Sequence, residues 1–417
     1  MRVPALTRSL TRVVCLCACA VGFVTATARE QQPLTRPETR ALWVTRQTLT
    51  SPDTVADMVR AASSGGFNTL LVQVRGRGDA YYRGGLEPRA ADLASRPDFD
   101  PLAETIQRAK AAGLTVHAWI AVNLVSSAVD LPRAPRHVVN HHPDWLMVPR
   151  SLAAELRGVD VRSPDYVARL ARWTRARPAE VEGLYTSPLH PGAVNHAVSV
   201  VREIVSQYAI DGVHLDYVRF PNDEFDYSRA ALEEFKASIR PQMTDADRRR
   251  LDTREASDSM AYPAFFPEGW VTFRQARLTT MVTRLRDAIK ELKPQVLLSA
   301  AVFPDEVQAR EQKLQDWRRW LDQSLLDAVC PMAYTEQLPL FEQQIGAARE
   351  AARGHQVWAG IGAYRLSTTA TLSYIDAARR HRASGIVLFS YDSLVAAPKS
   401  ATTLVQLGRA AFGAAPQ

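Results

Sequence analysis

One apolar stretch, residues 211–221 (DGVHLDYVRFP), contains three side chains that could do chemistry: His214, Asp216 and Arg219. Alternate residues of a β-strand share a face, so His214 and Asp216 would point to one side together with Val218. A carboxylate inside an apolar strand is costly unless it is paired or used. The alternative to a functional role is an ion pair from Asp216 to Arg219 or His214. We favour a catalytic or substrate-binding role for Asp216.

The spacing of apolar residues along the chain predicts the strands and helices that carry these side chains. Eight apolar runs predict strands, at 41–44, 69–74, 116–124, 212–220, 296–303, 326–334, 357–364 and 385–391, and a helical pattern follows each run. Near-continuous apolar strands are typical of parallel sheets that are buried on both faces. Eight such units predict an α/β fold, a (β/α)8 TIM barrel. A doubly wound open sheet is the alternative, but no G-x-G-x-x-G motif follows the first strand.

Three segments that follow strands are longer than barrel loops need to be: 76–100, 126–190 and 222–264. Because all three follow strands, we expect these insertions at the C-terminal face of the barrel, where active sites of this fold lie. The last insertion is rich in charged residues, which suits a lid and a solvated flap equally well.

Polar and aromatic side chains are concentrated at the predicted strand ends. Aromatic rings stack on the faces of sugars, while arginine, amide and carboxylate groups can pair with sugar hydroxyls. For any single ring, packing inside the barrel explains its position equally well, so the prediction depends on the whole set. The predicted substrate-binding residues are Trp43, Arg75, Asp79, Tyr82, Trp119, Asn123, His141, Trp145, His214, Arg219, Tyr334, Tyr364 and Tyr391.

Composition and charge exclude several classes of protein. The chain is 46% hydrophobic and 23% charged, which excludes disordered, collagen-like and coiled-coil proteins. Its net charge of +7 comes from 51 basic and 44 acidic residues, without a basic run interleaved with aromatics. We therefore expect no nucleic-acid partner, and no pattern indicates a protein partner.

The first residues have the pattern of an export signal. Three arginines precede an apolar stretch at 13–24, and Ala26-Thr27-Ala28 is a typical cleavage site. We predict a signal peptide at 1–28 and a single catalytic domain at 29–417, in an exported protein of the periplasm or the extracellular space. Alternatively, a lipobox-like sequence at 16–19 would lipidate Cys19 and anchor the protein to a membrane.

Metal-dependent and nucleophilic mechanisms have weak support. His137, His141, His142 and Asp144 lie close together in the chain, but their spacing matches no metal motif. A solvated or substrate-facing cluster explains them better. No G-x-S-x-G motif is present, and Cys330 would be the one cysteine left after signal cleavage. We predict neither a metal nor a cofactor.

The segments RALWVTR, FNTLLVQVRGRGDAYY and DGVHLDYVRFP resemble the glycoside-hydrolase-like family ten proteins. The resemblance covers essentially the whole chain after the signal peptide, and 211–221 is its most specific part. It implies a (β/α)8 barrel, export, and hydrolysis of glycosidic bonds in a cell-wall or extracellular polysaccharide. Since the family includes a hydrolase of denuded peptidoglycan glycan strands, these strands are the favoured substrate.

The same region is also similar to the chitinase pattern D-G-x-D-x-D-x-E, and residues 332–334 to the M-x-Y of that family. Here Asp211 and Asp216 match, but His214 replaces the middle aspartate and Val218 stands where the acidic glutamate belongs. Thr335 also replaces the usual aspartate after the tyrosine. The proton donor of the chitinase mechanism is therefore missing, and that mechanism is not transferred.

Hydrolysis by the common route needs two carboxyl groups, one protonated and one ionised. We predict Asp216 as one of them, either the nucleophile or the base that activates water. Its partner would be Glu336 or Asp305, which follow other strands. The alternative is a glycan-binding protein without catalysis on the same barrel, since residue 218 is not a glutamate. A polysaccharide deacetylase would need a metal-binding set of Asp and His that the sequence does not offer.

Overall fold

The computed structural model describes residues 37–413. Eight parallel strands of this region close into a barrel in the order β1, β2, β3, β6, β7, β8, β9, β10, and β10 pairs with β1. The predicted (β/α)8 TIM barrel is confirmed. The strands are β1 (Thr39–Val44), β2 (Thr69–Arg75), β3 (Thr115–Ala121), β4 (Leu124–Ser126), β5 (Leu184–Tyr185), β6 (Gly212–Asp216), β7 (Leu297–Val302), β8 (Ala328–Pro331), β9 (Gln356–Ile361) and β10 (Gly385–Phe389).

Helices connect the barrel strands and fill the insertions. The α-helices are α1 (Pro52–Ser64), α2 (Pro101–Ala111), α3 (Val138–His141), α4 (Arg150–Arg157), α5 (Pro164–Arg175), α6 (Pro191–Gln207), α7 (Arg229–Ile239), α8 (Asp245–Glu255), α9 (Ala261–Phe265), α10 (Pro267–Leu292), α11 (Glu306–Gln312), α12 (Trp317–Asp322), α13 (Leu338–Ala351), α14 (Thr368–Arg380), α15 (Tyr391–Val395) and α16 (Ala401–Phe412). Short 3-10 helices cover Arg46–Thr50, Ala91–Leu93, Pro143–Trp145, Arg240–Gln242 and Ala363–Arg365.

Two hydrophobic layers hold the barrel together. The outer faces of the strands pack against the helices in a large core, while a smaller cluster fills the barrel interior. Tryptophans from β1, β3 and β9 dominate this interior cluster: Trp43, Trp119 and Trp358. These side chains fill the barrel interior, and active sites of this fold lie at the C-terminal ends of the strands.

Helix starts follow the local signals of the sequence. The side chain of Ser51 accepts from the backbone N–H of Thr54, and that of Asp100 accepts from the backbone N–H of Ala103; both helices have proline at their first position. These caps satisfy backbone donors that would otherwise lack partners.

Two insertions extend over the C-terminal face. The one after β3 contains α3, α4 and α5 together with β4 and β5, which pair as a small antiparallel sheet that the sequence does not predict. The one after β6 contains α7, α8 and α9. Because both insertions follow barrel strands, they lie beside the barrel opening.

The sixth strand of the chain, β6, is shorter than predicted. The pattern predicts a strand through residue 220, but β6 ends at Asp216, and Tyr217 has a φ of 49°. A left-handed backbone is uncommon for an aromatic residue, and it ends the alternation of faces. Val218 therefore packs in the outer core and does not share a face with Asp216.

The predicted signal peptide at 1–28, including Cys19, lies outside the described residues. Within residues 37–413, no helix is both long enough and apolar enough to cross a membrane.

Candidate active site

A cavity of about 280 Å³ opens at the C-terminal end of the barrel, and we call it the barrel-mouth cavity. It is bounded mainly by residues at or just beyond strand ends. Its lining consists of Trp43, Thr45, Arg46, Gln47, Gln73, Arg77, Trp119, Asp216, Tyr217, Arg219, Ala301, Met332, Tyr334 and Phe389.

Four aromatic rings form one wall and the floor of this cavity. The Trp43 ring meets Tyr334 and Phe389 edge to face, with centroids 6.1 and 5.8 Å apart. Trp119 lies 6.3 Å from Phe389. Edge-to-face packing stabilises these rings against one another and leaves apolar faces and edges toward the cavity. Such a surface suits the C–H faces of a sugar ring.

Asp216 is the one carboxylate in the cavity lining. Its Oδ2 accepts a hydrogen bond of 3.1 Å from Trp119 Nε1, and its Oδ1 accepts one of 2.6 Å from the backbone N–H of Tyr217. Arg219 Nη1 lies 3.5 Å from the same Oδ1. Burial raises the pKa of Asp216, and the charge of Arg219 and these hydrogen bonds only partly oppose that effect.

The turn after β6 aims Arg219 back at the strand end. Its guanidinium stacks over the Tyr217 ring at 4.2 Å and lies 5.3 Å from the Phe303 ring. The left-handed backbone at Tyr217 permits this reversal within three residues. The stacked arginine is almost completely buried, so its charge acts in a medium of low dielectric.

Arg219 also binds a second carboxylate, Glu182, which comes from the insertion after β3. Arg219 Nη2 lies 3.2 Å from Glu182 Oε1, and the Tyr185 hydroxyl donates to Glu182 Oε2 at 2.6 Å. Partial burial works to raise the pKa of Glu182, but the charge of Arg219 and the hydrogen bond from Tyr185 outweigh it, so the pKa is lowered. No strand end or motif in the sequence marks Glu182, because it lies inside a long insertion.

The structure brings five of the predicted site residues together in the cavity lining: Trp43, Trp119, Asp216, Arg219 and Tyr334. Tyr364 lies at the rim, 43% exposed, with its ring 6.3 Å from that of Tyr334.

Four other predicted residues lie outside the lining and hold the structure around it. Arg75 forms a buried ion pair with Glu87 at 2.6 Å, and the Tyr82 hydroxyl donates to Glu203 at 3.2 Å. Asp79 accepts from the backbone N–H of Arg77 within the turn after β2. Asn123 is fully buried and donates to the backbone carbonyl of Thr186.

His214 lies within the barrel interior, fully buried and outside the cavity lining. Tyr391 is buried at the start of α15. His141 and Trp145 belong to the insertion after β3, where Trp145 stacks on His142 with ring centroids 3.7 Å apart.

The predicted partners of Asp216 lie outside the cavity lining. Asp305 caps α11, accepting a 2.7 Å hydrogen bond from the backbone N–H of Gln308, and it is exposed. Glu336 is also exposed, beyond β8. Neither side chain is held near Asp216 by a hydrogen bond or an ion pair with a lining residue of the described chain.

A larger cavity of about 520 Å³ lies between the two insertions. Its lining mixes aliphatic residues such as Leu156 and Leu232 with charged ones such as Arg157, and it contains none of the barrel strand ends. We place the candidate site in the barrel-mouth cavity, because the buried carboxylate with a perturbed pKa is there. The described residues contain no cluster of three or more His, Cys, Asp or Glu side chains that could hold a metal ion.

The closed parallel barrel and a polar cavity at its C-terminal ends define the TIM-barrel class to which many glycosidases belong. The chain is similar in structure to the PgaB (BpsB) glycoside hydrolase domain from Bordetella bronchiseptica, with a TM-score of 0.62 and 16% identity over 89% of this chain and 99% of that one. It is also similar to a β-galactosidase from Bacillus circulans sp. alkalophilus, with a TM-score of 0.58, 12% identity, and coverage of 89% of this chain and 56% of that one.

The family model described as Glycosyl hydrolase-like 10 matches residues 38–364, so this chain belongs to that family. The resemblance drawn from the sequence is confirmed. Among curated relatives, Glycosyl hydrolase DigH of Escherichia coli O6:H1 is 22% identical over 297 residues, covering 64% of this chain and 55% of that protein. Glycosyl hydrolase YngK of Bacillus subtilis is 22% identical over 290 residues, covering 64% and 46%. The chain thus matches only about half the length of these relatives.

Proposed function

We propose that this chain hydrolyses glycosidic bonds of a polysaccharide in the barrel-mouth cavity, with Asp216 as one of two catalytic carboxyl groups. The observation that carries the proposal is the position of Asp216. It is a buried carboxyl at the end of β6, held by Trp119 and Arg219 beside a wall of aromatic rings. Glycosidic hydrolysis by the common route needs a protonated and an ionised carboxyl group.

Asp216 fits the role of the protonated group, instead of the nucleophile or base that the sequence predicts. Since burial raises its pKa, it keeps a proton at a pH where an exposed aspartate has lost one. A sugar ring that packs against Tyr334 and Phe389 would lie beside this carboxyl. Asp216 then donates its proton to the glycosidic oxygen as the bond to the leaving sugar breaks.

Glu182 fits the role of the ionised group, since its pKa is lowered. It attacks the anomeric carbon to form a glycosyl-enzyme that water then hydrolyses, or it takes a proton from a water molecule that attacks this carbon directly. Both carboxylates contact terminal nitrogens of the single Arg219 guanidinium, so their nearest oxygens are within about 9 Å of each other. That limit includes the ~5 Å separation of retaining enzymes and part of the ~6.5–9.5 Å range of inverting ones. The anomer that is first released distinguishes the two outcomes.

Two further parts of the proposal come from the sequence. Export depends on the signal pattern at 1–28, and peptidoglycan glycan strands are the favoured polymer because of the family resemblance. Glu336 and Asp305 are the alternative partners of Asp216, since both follow barrel strands.

The test is the release of new reducing ends from peptide-free peptidoglycan glycan strands, chitin and a β-glucan. We expect Asp216→Asn to lower the rate on the cleaved polymer by about 10²–10⁴-fold while the protein stays folded. Glu182→Gln should cause a loss of the same order, whereas Glu336→Gln and Asp305→Asn should turn over near the wild-type rate. Full activity in Asp216→Asn would overturn the proposal. Loss of activity in Glu336→Gln but not in Glu182→Gln would make Glu336 the partner.

A glycan-binding protein without catalysis is the second candidate. It is favoured by one observation, that Asp216 is the only carboxylate in the cavity lining of the described chain. In that case the wild type binds one of the polymers, forms no product, and keeps its affinity in Asp216→Asn.

A further inference from the structure

Two arginines at the barrel mouth have no acidic partner among the residues that the structure describes. Arg46 follows β1 and Arg77 follows β2, and these two strands are hydrogen-bonded neighbours. Both side chains line the barrel-mouth cavity. Within residues 37–413, neither guanidinium forms an ion pair, whereas Arg219 in the same cavity pairs with both Asp216 and Glu182.

The turn after β2 holds both arginines in place. Arg46 Nη1 lies 3.4 Å from Gln73 Oε1 and packs over Gly76, where an added Cβ would come within 2.8 Å of it. The next residue, Arg77, has its backbone carbonyl 2.7 Å from His137 Nε2. Gly78 closes the turn with a φ of 70°, a conformation that glycine adopts without strain. The fold therefore positions the Arg46 guanidinium and the backbone of Arg77 at one edge of the cavity, which the Arg77 side chain also lines.

The charge of the cavity is strongly positive. Three arginines line it, against the single carboxylate of Asp216, which already shares its charge with Arg219. A half-buried guanidinium that lacks a counter-charge attracts anions, and its planar set of donors matches carboxylate and similar groups. The rest of the lining includes uncharged aromatic rings: Phe389 ends β10, the strand that pairs with β1, and Tyr334 follows β8.

We propose that the cavity selects a sugar that carries an anionic group, with Arg46 and Arg77 binding this group while the ring packs against Tyr334 and Phe389. The inference rests on the proposed function, since it assigns a substrate class to the same cavity. A lactyl ether on an amino sugar, a uronate and a sulfate ester share the required chemistry, and the probes below separate them.

The experiment measures binding, so that it does not depend on turnover. The ligands are a peptide-free hexasaccharide of peptidoglycan glycan, the same hexasaccharide with its carboxyl groups reduced to alcohols, chitohexaose, an oligouronate and a sulfated oligosaccharide. The first three share one β-1,4 amino-sugar backbone, and only the first of them is charged. Titration calorimetry with the Asp216→Asn chain at two salt concentrations gives affinities without hydrolysis.

We expect the charged hexasaccharide to bind at least about tenfold more tightly than its reduced form or chitohexaose, with a preference that shrinks at high salt. Arg46→Gln and Arg77→Gln should each remove most of this preference. Arg162→Gln, an exposed arginine of the insertion after β3 that forms no ion pair in the described chain, changes the net charge equally and should bind as the parent does.

Gly76→Ala gives a second, independent variant. The added methyl group displaces the Arg46 guanidinium without changing any charge, so affinity for the charged hexasaccharide should fall at least about threefold while that for chitohexaose stays the same. If the charged hexasaccharide were attracted only by the overall positive charge of the cavity, Gly76→Ala would bind it with the affinity of the parent.

Equal affinity for charged and uncharged ligands, or unchanged preference in Arg46→Gln and Arg77→Gln, overturns the inference even if the wild type cleaves glycans. Charge-dependent binding with no cleavage of any polymer by the wild type supports the inference and overturns the proposed hydrolysis. Preference for the oligouronate or the sulfated ligand over the lactyl sugar supports the inference and identifies the source of the anion.

Discussion

His214 and Asp216 lie two residues apart on β6, and each accepts a hydrogen bond from a tryptophan, yet they differ in access to the cavity and in the charge of their neighbours. His214 is fully buried among neutral groups, accepting from Trp43 Nε1 at 3.1 Å and lying 2.9 Å from Ser299 Oγ. Burial lowers the pKa of His214 to about 3, so the ring is neutral. Asp216 borders the cavity and contacts the charged Arg219.

The difference shows that residues on one strand face can have different roles. His214 supports the fold, whereas Asp216 borders the cavity, where it can take part in a reaction. Because Trp43 Nε1 is a donor only, His214 Nε2 must be its acceptor, and the proton on Nδ1 is directed to Ser299. This closed network holds Trp43 in place, and the same Trp43 ring forms part of the cavity floor. Asp216, two residues further along the strand, is the first side chain of β6 that a ligand in the cavity can reach.

The largest expected contrast is in stability. We expect His214→Ala to lower the free energy of unfolding by about 2–4 kcal/mol, because it opens a cavity and leaves the Trp43 N–H and Ser299 without a partner. Asp216→Asn should change it by no more than about 1 kcal/mol, because the amide has the size of the protonated carboxyl group and loses only one hydrogen bond. Urea unfolding of both variants measures these free energies. A larger loss for Asp216→Asn than for His214→Ala would contradict the supporting role of His214.

The pH dependence of stability gives a smaller, separable effect. His214 and His117 have pKa values lowered by burial to about 3 and about 4, below the ordinary value near 6.5. Between pH 6.5 and about 4 the unfolded chain binds more protons than the folded chain. The stabilisation that depends on these two neutral histidines is therefore fully present above pH 6.5 and declines as the pH falls toward 4. Each histidine contributes up to about 1.4 kcal/mol per pH unit in this window.

Comparison of the wild type with His214→Gln isolates one of these two contributions. Asp216 and Asp226, whose pKa values burial raises, titrate in both proteins and cancel in the difference. We expect the gap between the two unfolding free energies to narrow by about 1.4 kcal/mol for each pH unit from 6 to 4. A gap that does not change with pH would show that His214 is not held neutral in the folded protein.

The smallest effect is expected at Asp305, an exposed carboxylate at the start of a helix. Asp305→Ala removes the cap of α11 and should cost about 0.5–1 kcal/mol of stability at most. The rate of glycan cleavage should match that of the wild type, because the side chain is outside the cavity lining and, unlike Glu182, pairs with no lining residue of the described chain. Parallel unfolding and reducing-end assays check both parts, and a loss of activity without loss of stability would make Asp305 a catalytic partner again.

The site residues differ in how well the sequence predicts them. Asp216, Trp43, Trp119 and Tyr334 are predictable, because barrel strands point alternate residues inward and end at the functional face. Arg75 shows where alternation fails. The pairing of β2 with β3 shifts between Gln73 and Arg75, so Arg75 leaves the interior and pairs with Glu87.

The neighbouring Arg77, two residues beyond, lines the cavity instead. A strand irregularity depends on the partner strand and leaves no mark in the local pattern of apolar residues. The same holds at β6, where the pattern predicts a longer strand and the backbone of Tyr217 ends it.

The amino-acid sequence alone is enough to predict the eight repeating strand–helix units, the positions of the long insertions, and Asp216 as the carboxylate at the most informative strand end. These follow from local periodicity and from the rule that barrel sites lie where strands finish. Only the tertiary structure decided that Glu182 shares Arg219 with Asp216, that His214 supports Trp43, and that Arg46 and Arg77 meet at one cavity. Each of these contacts joins side chains from separate elements, and the folded backbone sets the distance between them.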